Sequence, residues 1–167
     1  DQRQHDARTP DLAGAVNRMR SARAIAPLHI DELRPFASHG ARGLVGRAFG
    51  VTPKDAGYED LRQEFFREYE SALCVHSTLF PSVAETLAEF DATGVLWGIV
   101  TNKIARFTQP LVQALGLADR AACVVSGDTT PHAKPHPAPL LHALAATRVA
   151  PSAAFYVGDD RRDVEAG

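Results

Sequence analysis

Cysteine is scarce in this sequence: 167 residues hold two, Cys74 and Cys123, far apart and in unrelated apolar contexts. That excludes a disulfide framework or a Cys-x-x-Cys metal site, makes a reducing cytoplasm the default, and leaves both thiols as expected buried structural groups. An excess of basic charge is also absent. Lys plus Arg come to 18 against 20 for Asp plus Glu, a formal net charge of -2. No nucleic-acid partner is expected, because a chain bound along a duplex must neutralise its phosphates. No apolar run approaches the roughly 18 residues that a membrane span requires. The polar start Asp1-Gln2-Arg3-Gln4-His5-Asp6 lacks the apolar stretch of a signal peptide. Repeats, low-complexity tracts and Gly/Ser linkers are missing too. What is present is 45% apolar and 23% charged residues, the composition of a soluble globular chain with one domain or a core carrying a small insertion.

Periodicity divides the chain near Phe80. Before it the pattern is helical: Thr9 can cap a helix opened by Pro10, and Leu12, Val16 and Met19 share one face. Tyr58, Leu61, Phe65, Tyr69 and Leu73 form a second stripe. Between them Gly40, Gly43, Gly46 and Gly50 interrupt a helix-like stretch, and Ser38-His39-Gly40-Ala41-Arg42-Gly43 is expected as a glycine-rich loop. From Pro81 onward helices alternate with short apolar runs. Val83, Leu87 and Phe90 mark a helix ended by Gly94; Phe107, Leu111 and Leu115 mark one closed by Gly116; Leu140, Leu141, Leu144 and Ala145 follow Pro137. The runs Val95–Val100, Ala122–Val125 and Ala153–Val157 are expected strands. Strands without polar alternation, separated by amphipathic helices, predict an α/β fold with a parallel sheet covered on both faces. Ligands bind such sheets at the carboxyl ends of the strands.

Three places qualify. Thr101-Asn102 follows the first run, and either holds an anionic oxygen or caps the next helix through Thr101. Lys134, in His132-Ala133-Lys134-Pro135-His136-Pro137, sits in a stretch that its prolines are expected to hold extended. It is a solvated surface charge or a phosphate partner ahead of a helix. The cluster Asp159, Asp160 and Asp163 could gather a hard cation such as Mg²⁺. The same residues read equally as an N-cap by Asp160 with Asp163 at the third helical position. Taken together, a hydroxyl, a lysine and an acidic cluster at successive strand ends suit a Mg²⁺-bound phosphate monoester.

The stretches Trp97–Lys103, Ser126–Thr129 with Lys134–Leu140, and Tyr156–Asp163 resemble the second, third and fourth motifs of the haloacid dehalogenase superfamily, in the versions found in phosphoglycolate phosphatases. Gly40-Ala41-Arg42-Gly43 and Val75-His76-Ser77 also resemble the N-acetylmuramic acid 6-phosphate phosphatases. The resemblance implies a Rossmann-like parallel-sheet core, residues 81–167, with an inserted helical cap, residues 10–80, and a non-matching start, residues 1–9. It implies a cytoplasmic phosphate monoester hydrolase that takes a small phosphorylated substrate and Mg²⁺. Its roles would fall on Thr101 and Asn102 at the phosphoryl group, and on Lys134 as the charge neutraliser. Asp159 would bind the metal, with Asp163 a further ligand or the partner of Lys134. Arg42 and Gly43 would lie on the substrate side, with Arg42 either meeting a carboxylate or sugar or merely solvated.

One part of the pattern is missing. The superfamily's first motif is an apolar strand ending in an aspartate nucleophile, one residue, then an aspartate general acid. No Asp-x-Asp pair occurs anywhere in the 167 residues. The expectation is a sheet without its first core strand, and with it either marginal stability or a gap filled by another segment or a second copy of the chain. The 167-residue chain is further expected to be catalytically inactive, a non-catalytic fragment that binds phosphate or a protein partner, whereas a complete form would act through an aspartyl phosphate.

Overall fold

The computed structural model describes residues 9–167. The expectations about residues 1–8, including the missing strand and Asp6, lie outside the described residues. Up to Phe80 these form one compact unit, and Pro81–Gly167 form a second.

The first unit holds helices α1 (Thr9–Ser21), α2 (Ile30–Ala37), α3 (Gly40–Phe49) and α4 (Tyr58–Ser71). The stripe on α1 becomes core as expected, with Leu12, Val16 and Met19 all buried. On α4, Tyr58, Phe65 and Tyr69 face inward, and the rings of Phe65 and Tyr69 stack at 6.2 Å. Helix α1 packs against α2, α3 and α4.

Three details differ from the sequence reading. Thr9 is taken into α1 itself. Helix α2 was not anticipated; His29 caps it with Glu32 in a capping box, and the His29 N–H donates to Glu32 Oε2 at 3.0 Å. The expected glycine-rich loop is the start of α3, so Arg42 and Gly43 lie on a helix. Gly43 serves packing there, since a Cβ on it would stand 2.6 Å from the Phe36 carbonyl oxygen. Gly50, at φ +69°, ends α3 in the left-handed conformation.

A buried carboxylate ties this unit's two ends together. Asp11, 2% exposed, accepts from the His76 N–H (2.9 Å), the Ser77 N–H (2.8 Å) and the Ser77 hydroxyl (2.6 Å). Asp11→Ala would strand the two buried donors of Ser77, each costing about 1–3 kcal/mol, while the His76 N–H is only part-buried. Urea unfolding should therefore show a loss of at least ~2 kcal/mol, and Asp11→Asn, which keeps two acceptor lone pairs, should lose less.

The second unit runs α5 (Val83–Thr93), β1 (Ile99–Val100), α6 (Ala105–Ala114), β2 (Val124–Val125), α7 (Ala138–Thr147) and α8 (Arg161–Ala166). Gly94 and Gly116 end their helices with positive φ, as the sequence suggests. The strands pair in parallel, Ile99 opposite Val124 and Val100 opposite Val125. Bonds from Ile99 N–H to Cys123 O and from Thr101 N–H to Val125 O, both 2.9 Å, extend the ladder. Helix α7 packs on both strands.

The strands are shorter than their apolar runs, and the expected strand at Ala153–Val157 does not form. A 3₁₀ turn occupies Pro151–Ala153, and the following stretch leaves Phe155 fully exposed and Val157 90% exposed. A strand exists only through its ladder. Among the described residues no backbone group bonds to the main-chain N–H groups of residues 155–158, nor to that of Val100 on the edge of β1 away from β2. The thiols are also less enclosed than expected. Cys74 and Cys123 are free and half-buried, and burial pushes both thiol pKa values up. Among the described residues no helix is long and apolar enough to cross a membrane.

Candidate active site

The site grows from the carboxyl ends of β1 and β2. Beyond β1, the side-chain amide of Asn102 grips the main chain of Lys134 from both sides. Its Nδ2 donates to the Lys134 carbonyl at 2.8 Å, and its Oδ1 accepts from the Lys134 N–H at 2.9 Å. Asn102 thus fixes where Lys134 starts, and its amide is committed to that task. Beyond β2, the Gly127 N–H donates to the Lys103 carbonyl at 2.8 Å. A Cβ on Gly127 would fall on the Asn102 carbonyl group, so only glycine lets the two strand ends approach. Gly127→Ala should cost about 1–3 kcal/mol, the usual range for overpacking, and thermal unfolding would register it.

The loop carrying Lys134 is turned, not extended as its prolines suggested. The Lys134–Pro135 peptide is cis, and the His136 N–H donates back to the Ala133 carbonyl at 3.1 Å. This turn sends the lysine side chain inward, where it is 9% exposed. Its ammonium donates to the Val100 carbonyl (2.9 Å), the Tyr156 hydroxyl (2.6 Å) and Asp163 Oδ1 (2.7 Å). The surface-charge reading of Lys134 is therefore excluded by geometry.

Asp163 is held from both sides. Oδ1 also accepts from the Tyr156 hydroxyl at 3.0 Å, and Oδ2 accepts from the Asp160 N–H at 3.1 Å. Asp160 caps α8 by accepting from the Arg162 N–H at 2.9 Å, which completes a capping box. The capping reading of this acidic cluster is correct for two of its three members. Burial pushes the Asp163 carboxyl up, but the Lys134 and Asp160 hydrogen bonds outweigh it and hold the carboxyl below its ordinary range. For Lys134, burial pulls down while Asp163 and Tyr156 push up, and the balance lies above the ordinary lysine value. Burial raises the Tyr156 phenol. Arg162 holds Asp160 far below the usual carboxylate range.

Thr101 is half-buried at the end of β1, and its hydroxyl oxygen accepts from the Lys103 N–H at 3.1 Å. It does not cap α6. Asp128, from the end of β2, does so by accepting from the Ala105 N–H at 2.8 Å. Asp159 is exposed and has no hydrogen bond or ion pair among the described residues. Arg42, on α3 of the first unit, is likewise exposed. The structure thus gathers Asn102, Lys134 and Asp163, with Thr101 adjacent in the chain. Sequence reasoning did not single out Tyr156, the Val100 carbonyl or Asp128. Tyr156 reads in the sequence as one more apolar strand residue, and only its hydroxyl could have hinted at a polar role.

Residues 10–167 match the haloacid dehalogenase-like hydrolase family along their whole length. The chain belongs to that family. A curated relative from Pseudomonas putida, an N-acetylmuramic acid 6-phosphate phosphatase, is 39% identical over 158 residues, 95% of this chain and 71% of the relative. A phosphoglycolate phosphatase of Xanthomonas campestris pv. campestris is 39% identical over 155 residues, 93% of this chain and 70% of its own length. Among solved structures, a predicted phosphoglycolate phosphatase from Haemophilus somnus superposes with a TM-score of 0.80 at 27% identity, over 95% of this chain and 74% of the other. As a haloacid dehalogenase-like hydrolase, the chain has the α/β, Rossmann-like core with a helical cap, and by family it is a phosphoric monoester hydrolase.

Whether the described residues suit the Mg²⁺ that such hydrolases generally use depends on the donors left free. No group of three or more His, Cys, Asp or Glu is assembled for a metal among the described residues. Both oxygens of Asp163 are already engaged. Asp159 offers a free carboxylate, and Mg²⁺ binds through one or two carboxylates while keeping waters and substrate phosphate oxygens. The donor set fits.

Proposed function

We propose that the second unit carries the phosphate site of a Mg²⁺-dependent, phosphoglycolate phosphatase-like hydrolase, and that the first unit is its helical cap. The observation that carries this reading is the ammonium of Lys134. It is desolvated, paired with Asp163, and held by Asn102 at the ends of two parallel strands. Lys134 would neutralise a phosphoryl oxygen, with Asp163 and Asn102 as its positioning residues. The Thr101 hydroxyl, its lone pair engaged by Lys103, would donate its proton to a second oxygen. Asp159 would hold Mg²⁺, which when bound neutralises charge on the phosphoryl group. Arg42, an exposed cation on α3 without a partner among the described residues, keeps the substrate-side role that the family resemblance implies, toward a substrate carboxylate. Free half-buried thiols suit a reducing cytoplasm.

The relative from Pseudomonas putida favours a second substrate, N-acetylmuramic acid 6-phosphate, which also carries a carboxylate. The shared chemistry is a phosphate monoester with a carboxylate elsewhere in the molecule. The test is a version in which residues 1–9 are replaced by the corresponding segment of the Xanthomonas campestris relative. Assayed with Mg²⁺ on a panel of monoesters, it should prefer carboxylate-bearing substrates, and Arg42→Ala should raise KM for these alone. Equal turnover of esters lacking a carboxylate would refute the role of Arg42 and the substrate class with it.

A further inference from the structure

His132 and His136 flank Lys134 on the loop ahead of α7, both exposed, with ring centroids 4.5 Å apart and planes tilted by 34°. The main chain that carries them is pinned. The Thr130 hydroxyl donates to the His132 carbonyl at 2.8 Å, and the His136 N–H donates to the Ala133 carbonyl at 3.1 Å. Between them, Asn102 holds the Lys134 main chain. None of these contacts uses a backbone group of β1.

Two imidazoles held at this separation match a chelate. With metal–nitrogen bonds of about 2.0–2.1 Å, two rings on one ion have centroids roughly 4.5–5 Å apart. Neither nitrogen of His132 has a hydrogen-bond partner among the described residues. On His136, Nδ1 accepts from the Ala138 N–H at 3.1 Å, which places that ring's proton on Nε2. We propose that His132 and His136 together bind a transition-metal ion of the Zn²⁺ kind, with water at the remaining positions. The chemistry separates this site from the Mg²⁺ carboxylate, because imidazole suits Zn²⁺, Ni²⁺ and Cu²⁺ while Mg²⁺ takes oxygen ligands. The proposal does not depend on the phosphate-site reading.

Occupancy has a local consequence. An ion on His136 Nδ1 displaces the Ala138 N–H directly. An ion on Nε2 sends the ring proton to Nδ1, where it faces that same N–H. Both imidazoles bind neutral, so the proton is relocated through solvent and none is released. Either way Ala138, the first residue of α7, exchanges its imidazole acceptor for water.

The experiment titrates Zn²⁺ into the 167-residue chain by calorimetry, in excess Mg²⁺. Loss of even an outer-shell partner costs about 10–100-fold in metal affinity. His132→Ala and His136→Ala should therefore each weaken Zn²⁺ binding by at least about tenfold, whereas His142→Ala, an exposed histidine on α7, should leave it unchanged. The His132 side chain makes no hydrogen bond whose loss would unsettle the loop, and an unaltered urea midpoint in His132→Ala would verify that. No Zn²⁺ binding, or binding that His132→Ala leaves as tight, would overturn the proposal and leave the two rings as a stacked pair. A second measurement needs no variant. Saturating Zn²⁺ should shift the Ala138 amide resonance and hasten its exchange with solvent; an unmoved Ala138 amide would overturn the proposal as well.

Discussion

Lys134→Ala should abolish phosphate binding and destabilise the second unit by about 3–5 kcal/mol, the cost of leaving a buried charge without its partner. The magnitude follows from the surroundings of the pair. Both side chains are about one-tenth exposed, so solvent screens neither, and without the ammonium the Asp163 carboxylate would retain only the Asp160 N–H and the Tyr156 hydroxyl. The double variant Lys134→Met with Asp163→Leu should recover most of the stability and none of the binding, because an apolar pair of similar volume often replaces a buried ion pair without loss. Denaturant midpoints and phosphate calorimetry on the three proteins would decide. A single variant as stable as the unaltered chain would mean that the pair is not formed in solution.

The same pair sets a pH window. Asp163 has a folded pKa below its unfolded value, about 3.9, so its contribution is present above that value and is lost as pH falls through the folded pKa. Lys134 has a folded pKa above its unfolded value, about 10.4, so its contribution is present below that value and is lost as pH rises through the folded pKa. The stabilisation should be complete between about pH 5 and pH 9. In Lys134→Met with Asp163→Leu, the acid and alkaline flanks of the stability profile should both flatten.

Much of this site was legible in the sequence because its markers are local. Apolar runs located β1 and β2, with Thr101-Asn102 just beyond β1 and Lys134 in the loop after β2, whereas the aspartates follow a run that forms no strand. The helical stripes of α1 and α4 were legible for the same reason: periodicity reports the buried face directly. What the sequence did not show depends on long-range contacts. The clamp of Asn102 on the Lys134 main chain spans 32 residues, and Tyr156 reaches Lys134 across 22. The glycines of α3 looked like loop residues because glycine is a poor helix former. In the structure Gly43 is small for the sake of the neighbouring Phe36 carbonyl, a packing reason that propensity cannot show. The apolar run at Ala153–Val157 predicted a strand, yet side-chain pattern alone cannot supply a ladder partner.

The 167-residue polypeptide should release no phosphate from phosphoglycolate at any Mg²⁺ concentration, and the version with the replaced start should do so at rates typical of an enzyme. The chemical part of this expectation is a missing acceptor. In the two-step route the phosphorus–ester oxygen bond breaks as a carboxylate oxygen bonds to phosphorus, and water then cleaves the acyl phosphate. No Asp-x-Asp pair exists in the sequence to supply that carboxylate and the acid that protonates the leaving oxygen. Lys134 and Thr101 can hold the anion, but water would have to attack it unaided. The structural part lies along β1. Its edge away from β2 has no backbone partner for Val100 N–H among the described residues, and nearby Leu96, Phe155 and Val157 are 65%, 100% and 90% exposed. An apolar strand added there would pair with β1 by taking the Val100 carbonyl from Lys134 and Tyr156, and its terminal carboxylates would lie at the end of the sheet near Lys134. The replaced version should therefore unfold at a higher temperature as well as turn over substrate, and Lys134→Ala within it should lower turnover by at least about a hundredfold. Turnover by the unaltered 167-residue chain, abolished by Asp6→Asn, would show instead that Asp6 is the nucleophile and that the site is already complete.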